Sequence, residues 1–167
     1  MNNHTTLRLG NASDFDALFT IYMAPSVNPY LNFAIMDQYS FEPIFEEMMR
    51  SGKLYVYEND STVVATVIVQ QLKRRANHVV TLGSLATHPD YHGKGISSKF
   101  MIEIINKLKI EGIKRIDLCA EADNPKAIRF YEKMGFKLEA VLKKYFRREN
   151  EDKYIDEHLM VLFLDEK

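Results

Sequence analysis

The run Thr87-His88-Pro89-Asp90-Tyr91-His92-Gly93-Lys94-Gly95-Ile96-Ser97-Ser98 offers the first chemistry in the chain, because two glycines stand between a strand-like and a helical segment. Glycine lets a backbone approach a ligand closely, and the unpaired N–H groups and dipole of a helix start favour negative charge. A pyrophosphate suits such a loop, and a plain turn before a helix is the equal alternative. Two familiar loops fail on spacing. Lys94 is followed by Gly95 instead of Ser or Thr, which removes the Walker loop. Ser98 stands where a dinucleotide fingerprint needs a third Gly or Ala, and antiparallel strands are expected ahead of it, which removes Rossmann binding. Cys119, the single cysteine, excludes an intrachain disulfide and reads as a small buried hydrophobe on a strand, not as a nucleophile. His78, His88 and His92 lack companion Cys ligands and helical His spacing, so no metal is expected.

The elements around that loop follow from periodicity. A strand at Thr6–Leu9 precedes a helix in which Phe15, Leu18, Phe19 and Tyr22 recur at helical spacing, with Ser13 as its expected cap. Residues 25–33 form an aromatic loop, and Ser40 is expected to open a second helix that Gly52 closes. Leu54–Tyr57, Thr62–Gln70 and His78–Thr87 read as three antiparallel strands. A long helix then carries Phe100, Met101, Ile104, Ile105 and Leu108 to Gly112. Ile113–Cys119 returns to a strand, Pro125–Met134 to a helix, and Phe136–Tyr145 and Tyr154–Leu164 to two closing strands.

Composition bounds the partners. With 22 Lys+Arg against 23 Asp+Glu, the net charge of -1 gives no whole-chain reason to bind nucleic acid or an anionic membrane. A hydrophobic fraction of 46% supports a real core, and 167 residues are one domain's worth, so residues 1–167 are read as a single domain. The first residues lack the basic start and apolar stretch of a secretory signal, and the longest apolar run, 63–69, is too short to cross a bilayer. A cytoplasmic protein is the expectation.

Here the chain resembles the GCN5-related N-acetyltransferase (GNAT) superfamily, whose acetyl-CoA loop reads Arg/Gln-x-x-Gly-x-Gly/Ala. The six positions are His92, Gly93, Lys94, Gly95, Ile96 and Ser97, with His92 replacing Arg/Gln and Ser97 replacing Gly/Ala. The run from Asn124 to Phe136 resembles the family's Asn-x-x-Ala-x-x-x-Tyr-x-x-x-Gly-Phe block, through Asn124, Ala127, Tyr131, Gly135 and Phe136. The resemblance implies an α+β fold: a mixed, mostly antiparallel central sheet of six to seven strands with flanking helices, splayed at the cofactor site. It also implies acetyl-CoA as acyl donor, with Leu85, Ala86 and Thr87 pairing with pantetheine, the amides of Gly93 to Ser98 meeting pyrophosphate, and Asn124 bonding pantetheine or the substrate side.

Under that resemblance Tyr131 is the candidate acid for the departing thiolate. A phenol of reference pKa about 10 stays protonated where a thiol of about 8.5 has begun to ionise. In the ribosomal-protein N-terminal acetyltransferases a Glu stands five positions before the motif Asn; Cys119 occupies that place, and Glu121, two residues on, is the candidate base. Ser84, His88 and His158 are reserves. The acceptor is a primary amine: a small amine, an amino acid derivative or a protein amino group. Met23, Tyr30, Phe33 and Met36 are candidates for its wall. The run from Lys143 to Arg148 keeps nucleic acid a minor option, a homodimer is left open, and an acyl-CoA-binding module with little catalysis is the alternative reading.

Overall fold

The computed structural model describes residues 4–149 and 151–165. Its elements are β1 (Thr5–Leu9), α1 (Phe15–Tyr22), α2 (Gln38–Ser51), β2 (Lys53–Asn59), β3 (Thr62–Gln71), β4 (Val79–Thr87), α3 (Ile96–Ile110), β5 (Arg115–Glu121), α4 (Pro125–Lys133), β6 (Lys137–Phe146) and β7 (Ile155–Phe163). The seven strands run in the order β1-β2-β3-β4-β5-β7-β6. The β4–β5 pair is parallel, and β1–β2, β2–β3, β5–β7 and β6–β7 are antiparallel, which gives the mixed α+β sheet that the resemblance implied. Both cap expectations shift by a few residues: Asn11 and Asp37 are the caps, and Ser13 and Ser40 are the residues whose N–H groups they accept, at 2.9 and 2.8 Å.

Two compact units divide the chain, one formed by residues 1–70 and 83–104, the other by 71–82 and 105–167. In the first, Asp60 and Ser61 turn β2 into β3 with φ of 49° and 65°, the double left-handed turn that matches strand twist. Adjacent residues of β2 face opposite ways, so the sheet is covered on both sides. Val56 joins a core of Leu18, Ile21, Tyr22, Phe41 and Phe45 from α1 and α2. Tyr57 stacks on Phe100 of α3 at 5.2 Å between centroids and donates its hydroxyl hydrogen to Glu103 at 2.6 Å. In the second unit β5 is central, paired with β7 over its whole length, and β6 is the outer strand. Gly112, with φ of 84°, ends α3 as expected.

Arg8 on β1 joins the entry to α1 to β2. Its guanidinium donates to both oxygens of Asp14, at 2.7 and 2.8 Å, and to Glu58 at 2.8 Å. Asp14 is buried, which alone would raise its carboxyl, but hydrogen bonds from Arg8 and from the Asn11 N–H outweigh burial and hold it below the usual carboxylate range. A depressed carboxyl stabilises the fold above its unfolded value, about 3.9, and loses that contribution as pH falls through its folded value. We expect Asp14→Asn to cost about 1–3 kcal/mol at pH 7, because the guanidinium keeps Glu58 but loses its charge-assisted bonds to the buried carboxylate. The urea midpoint of the parent should then fall more steeply below about pH 4 than that of the variant. Parallel acid limbs would show that the pair contributes nothing.

Candidate functional site

The glycine loop belongs to the first unit. Its strand side is fixed by the His88 N–H, which donates to the Val64 carbonyl of β3 at 2.8 Å, and by Thr87, which is buried. His88 itself is used in the turn that follows, where its Nδ1 accepts from the Asp90 N–H at 3.2 Å. His92 turns back onto the strand: its Nε2 lies 2.8 Å from the Thr87 carbonyl, and because a carbonyl only accepts, that nitrogen carries the proton. The Thr87 and Ser97 hydroxyls are 2.9 Å apart. Gly93 and Gly95 adopt φ of 73° and 77°, and a Cβ built on either would meet nothing within 4 Å. Backbone conformation, not crowding, therefore requires glycine there, and the space beside the loop is open. Ile96 anchors the start of α3 in the core, and the first turn of the helix holds no acidic residue. Its leading N–H groups thus face an approach free of local negative charge, which fits a phosphate. Lys94 reaches over the Tyr91 ring at 5.3 Å, and Lys99 is exposed.

Just before this loop the character of β4 changes. Its register with β5 runs from Val79↔Arg115 to Leu82↔Leu118, and among the described residues no later pair is registered, although the strands continue to Thr87 and Glu121. Ser84 has φ of 50°, a left-handed residue inside a strand, and its carbonyl accepts from the Tyr22 hydroxyl at 2.9 Å. Leu85 is half-buried and Ala86 buried. Of the residues proposed for an acceptor wall, Phe33 packs edge-on against Tyr22 at 5.6 Å and Met36 donates its N–H to the Met23 sulfur at 3.2 Å, whereas Tyr30 is exposed.

The acid and base candidates belong to the second unit. Glu121 ends β5 directly opposite Glu157 of β7, and both are buried. The Glu121 carboxyl is pushed above the usual range first by burial and then by the charge of Glu157, while Asn124 and Arg148 pull it the other way. Asn124 is the cap of α4: its Oδ1 accepts from the Ala127 N–H at 3.2 Å, its own N–H donates to the Glu121 carbonyl at 2.9 Å, and its side chain also bonds the Glu121 carboxyl. Tyr131, on α4, is held edge-on to Phe136 at 5.9 Å; burial first and the charge of Glu121 second raise its phenol well above the ordinary value. Thus Tyr131, Glu121 and Asn124 are brought together within one unit.

Cys119 departs from expectation. It keeps an exposed surface, and its thiol is pushed up to about 12, first by desolvation and then by the charge of Glu157, away from the thiolate form a nucleophile needs. Glu157 is the residue that sequence reasoning undervalued, since only the β5–β7 register reveals what it faces. Three of the four cations of the 143–148 run are engaged: Lys143 pairs with Asp156 at 2.9 Å, Arg148 makes two bonds to Asp123 at 2.8 and 2.9 Å, and Arg147 lies over Tyr154 at 5.8 Å. Among the described residues no group of three or more His, Cys, Asp or Glu is arranged for a metal, and no helix is long and apolar enough to cross a membrane.

Comparison with known proteins agrees with these observations. The model described as "Acetyltransferase (GNAT) family" matches residues 15–136. The L-amino acid N-acetyltransferase AaaT of Escherichia coli (strain K12) is 32% identical over 163 residues, covering 92% of this chain and 94% of that protein. Among solved structures, spermidine N-acetyltransferase from Vibrio cholerae, in complex with CoA and spermine, superposes with a TM-score of 0.81 at 18% identity, covering 96% and 95% of the two chains. The yncA structure from Salmonella typhimurium with acetyl-CoA gives 0.75 at 21% identity, covering 98% and 96%. These last two likenesses concern the fold.

The loop geometry yields a direct test. Gly95→Ala should cost about 1–2 kcal/mol by denaturant unfolding through left-handed strain alone, and Gly95→Asn distinctly less, because asparagine tolerates that region. Equal losses for both would place the cause in packing instead.

Proposed function

Because the chain belongs to the GNAT acetyltransferase family and is an acetyl-CoA-dependent N-acetyltransferase, we propose that residues 1–167 act as one catalytic domain that acetylates a primary amine by direct attack. Acetyl-CoA supplies the activated acetyl group. In this reading the pyrophosphate is received by the amides from Gly93 to Ser98, with His92 and Lys94 shaping the loop, and Leu85, Ala86 and Thr87 receive the pantetheine arm. Glu121, directly or through water, takes a proton from the acceptor ammonium. The freed amine forms the C–N bond, the tetrahedral intermediate collapses with loss of the C–S bond, Tyr131 gives its proton to the departing sulfur, and the surplus proton on nitrogen returns to the Tyr131 phenolate directly or through water.

The observation that carries this reading is the coupling of Tyr131 to Glu121. Burial first and the Glu121 charge second keep the proton on the half-buried Tyr131 phenol across the neutral range, available to the departing sulfur. Raised by burial, Glu121 can hold a proton nearer neutrality than an exposed carboxylate would. Asn124 caps the helix that carries Tyr131 and bonds Glu121, so it steadies both groups, and by family likeness it also touches the pantetheine or substrate side.

For the acceptor, the L-amino acid named for the Escherichia coli relative makes free amino acids the first class to assay, ahead of polyamines and peptides. A cytoplasmic setting fits a chain whose single cysteine forms no intrachain disulfide. Nucleic acid is not favoured, since the basic run is occupied by its own carboxylates and aromatic rings.

Tyr131→Phe should lower turnover by about 10²-fold while acetyl-CoA binding by calorimetry is retained. Unchanged turnover would reject Tyr131 as the acid, and binding without turnover in the parent, across a panel of amines, would favour the binding-module alternative. For the base, kcat/KM should rise with pH through a limb above the usual carboxylate range, and Glu121→Gln should flatten that limb. With its phenol raised, Tyr131 should add no descending limb below about pH 10.

A further inference from the structure

One buried group near the acyl-donor strand is unused by this mechanism. Tyr22, in the last turn of α1, has no exposed surface, and its ring is wedged between Phe33 at 5.6 Å and Phe41 at 6.2 Å. Buried phenols need a partner for the hydroxyl. This one donates to a backbone carbonyl 62 residues away, that of Ser84, the one non-glycine residue of β4 with positive φ. Thr66 of β3, also without exposed surface, places its hydroxyl beside the same phenolic oxygen. The Thr66 hydroxyl makes no hydrogen bond, so among the described residues the Tyr22 hydroxyl is the side-chain group that holds the Ser84 carbonyl.

The bond from Tyr22 fixes more than one group. In a planar trans peptide the carbonyl and the following N–H point in opposite directions, so pinning the Ser84 carbonyl also aims the Leu85 N–H. A serine in the left-handed region is costly and persists only where its surroundings hold it. Without its anchor, the Ser84–Leu85 peptide could relax toward ordinary strand conformation and turn both groups away.

We propose that Tyr22 is a positioning residue for acyl transfer, whose hydroxyl locks the turned Ser84–Leu85 peptide in the segment of β4 that receives the acyl donor. The inference rests on the reading of Leu85 to Thr87 given above. Tyr22 itself is sealed in the core and acts only through the backbone it holds.

The test is Tyr22→Phe, which keeps the ring and removes the hydroxyl. In the ligand-free protein, residue-resolved hydrogen exchange at the Leu85 amide should accelerate about tenfold, with amides of α2 unchanged. Turnover per folded molecule should fall about tenfold while the acetyl-CoA dissociation constant stays within about threefold, the split expected when a group is misaimed and not lost. Ser84→Gly, which holds a positive φ without an anchor, should restore turnover at least about threefold when added to Tyr22→Phe. The double variant decides the matter if Tyr22→Phe alone does not fold. A lowered melting temperature with parent-like exchange and turnover would reduce Tyr22 to a structural pillar and overturn the proposal, as would a double variant that turns over no faster than Tyr22→Phe or, where that does not fold, a double variant with parent-like exchange at Leu85. A parent that neither binds acetyl-CoA nor turns over would refute the reading beneath, and the ligand-free exchange experiment would still show whether the lock exists.

Discussion

The Tyr22 hydroxyl on the Ser84 carbonyl, at 2.9 Å, is the contact on which the shape of the last part of β4 depends. A strand that kept regular pairing through Ser84 would spend its carbonyls and N–H groups on the ladder. Left-handed backbone at Ser84 interrupts that pattern, and it costs about 1–2 kcal/mol for a residue with a Cβ. Something must hold it, and α1 does so with a phenol from its buried face. The helix that supplies Leu18 and Ile21 to the core is thereby also the helix that shapes β4, which explains why a polar atom is placed in an otherwise apolar cluster.

The second unit solves a different problem: giving two groups opposite proton habits at one pH. Burial raises both Tyr131 and Glu121, since it penalises whichever form is charged. For the phenol this secures the protonated state. For the carboxyl it moves proton exchange toward the working range, and Glu157 across the β5–β7 register pushes it further, while Asn124 and Arg148 restrain it. Cys119 is raised by desolvation first and by the neighbouring carboxylates Glu157, Asp117 and Glu121 after it, so burial and charge act in the same direction on the thiol and on Glu121.

How much of this was legible beforehand differs by residue for physical reasons. Local signals read well: Gly93 and Gly95 needed positive φ, Gly112 ended α3, and Pro125 began α4, because each of these depends on backbone conformation within a few residues. The caps were misplaced by a few residues because Asn11 and Ser13, or Asp37 and Ser40, are chemically equivalent as candidates until dihedral angles choose. Contacts distant in sequence were not legible. Nothing in the chain announces that Tyr22 meets Ser84 or that Glu121 faces Glu157, since registers and helix docking decide them. Cys119 failed for a related reason: its residue type suggests burial, whereas its position on β5 leaves it partly open.

His92 and Ser97, the two departures from the family loop pattern, bear on whether this is a working enzyme or a binding module. Both meet the same residue: His92 donates to the Thr87 carbonyl at 2.8 Å, and the Ser97 hydroxyl lies 2.9 Å from the Thr87 hydroxyl. A loop that had merely drifted from function would have no reason to place two replacements on one buried threonine at the end of β4. Their convergence ties the strand end, the glycine turn and the first turn of α3 into a single hydrogen-bonded piece, and side-chain bonds of this kind reduce the entropy lost when a ligand is received. The replacements therefore argue for a loop rebuilt around its strand. Where the family pattern has a glutamate this chain has Cys119, and the nearest carboxylate on the same strand, Glu121, lies two residues on and opposite Glu157.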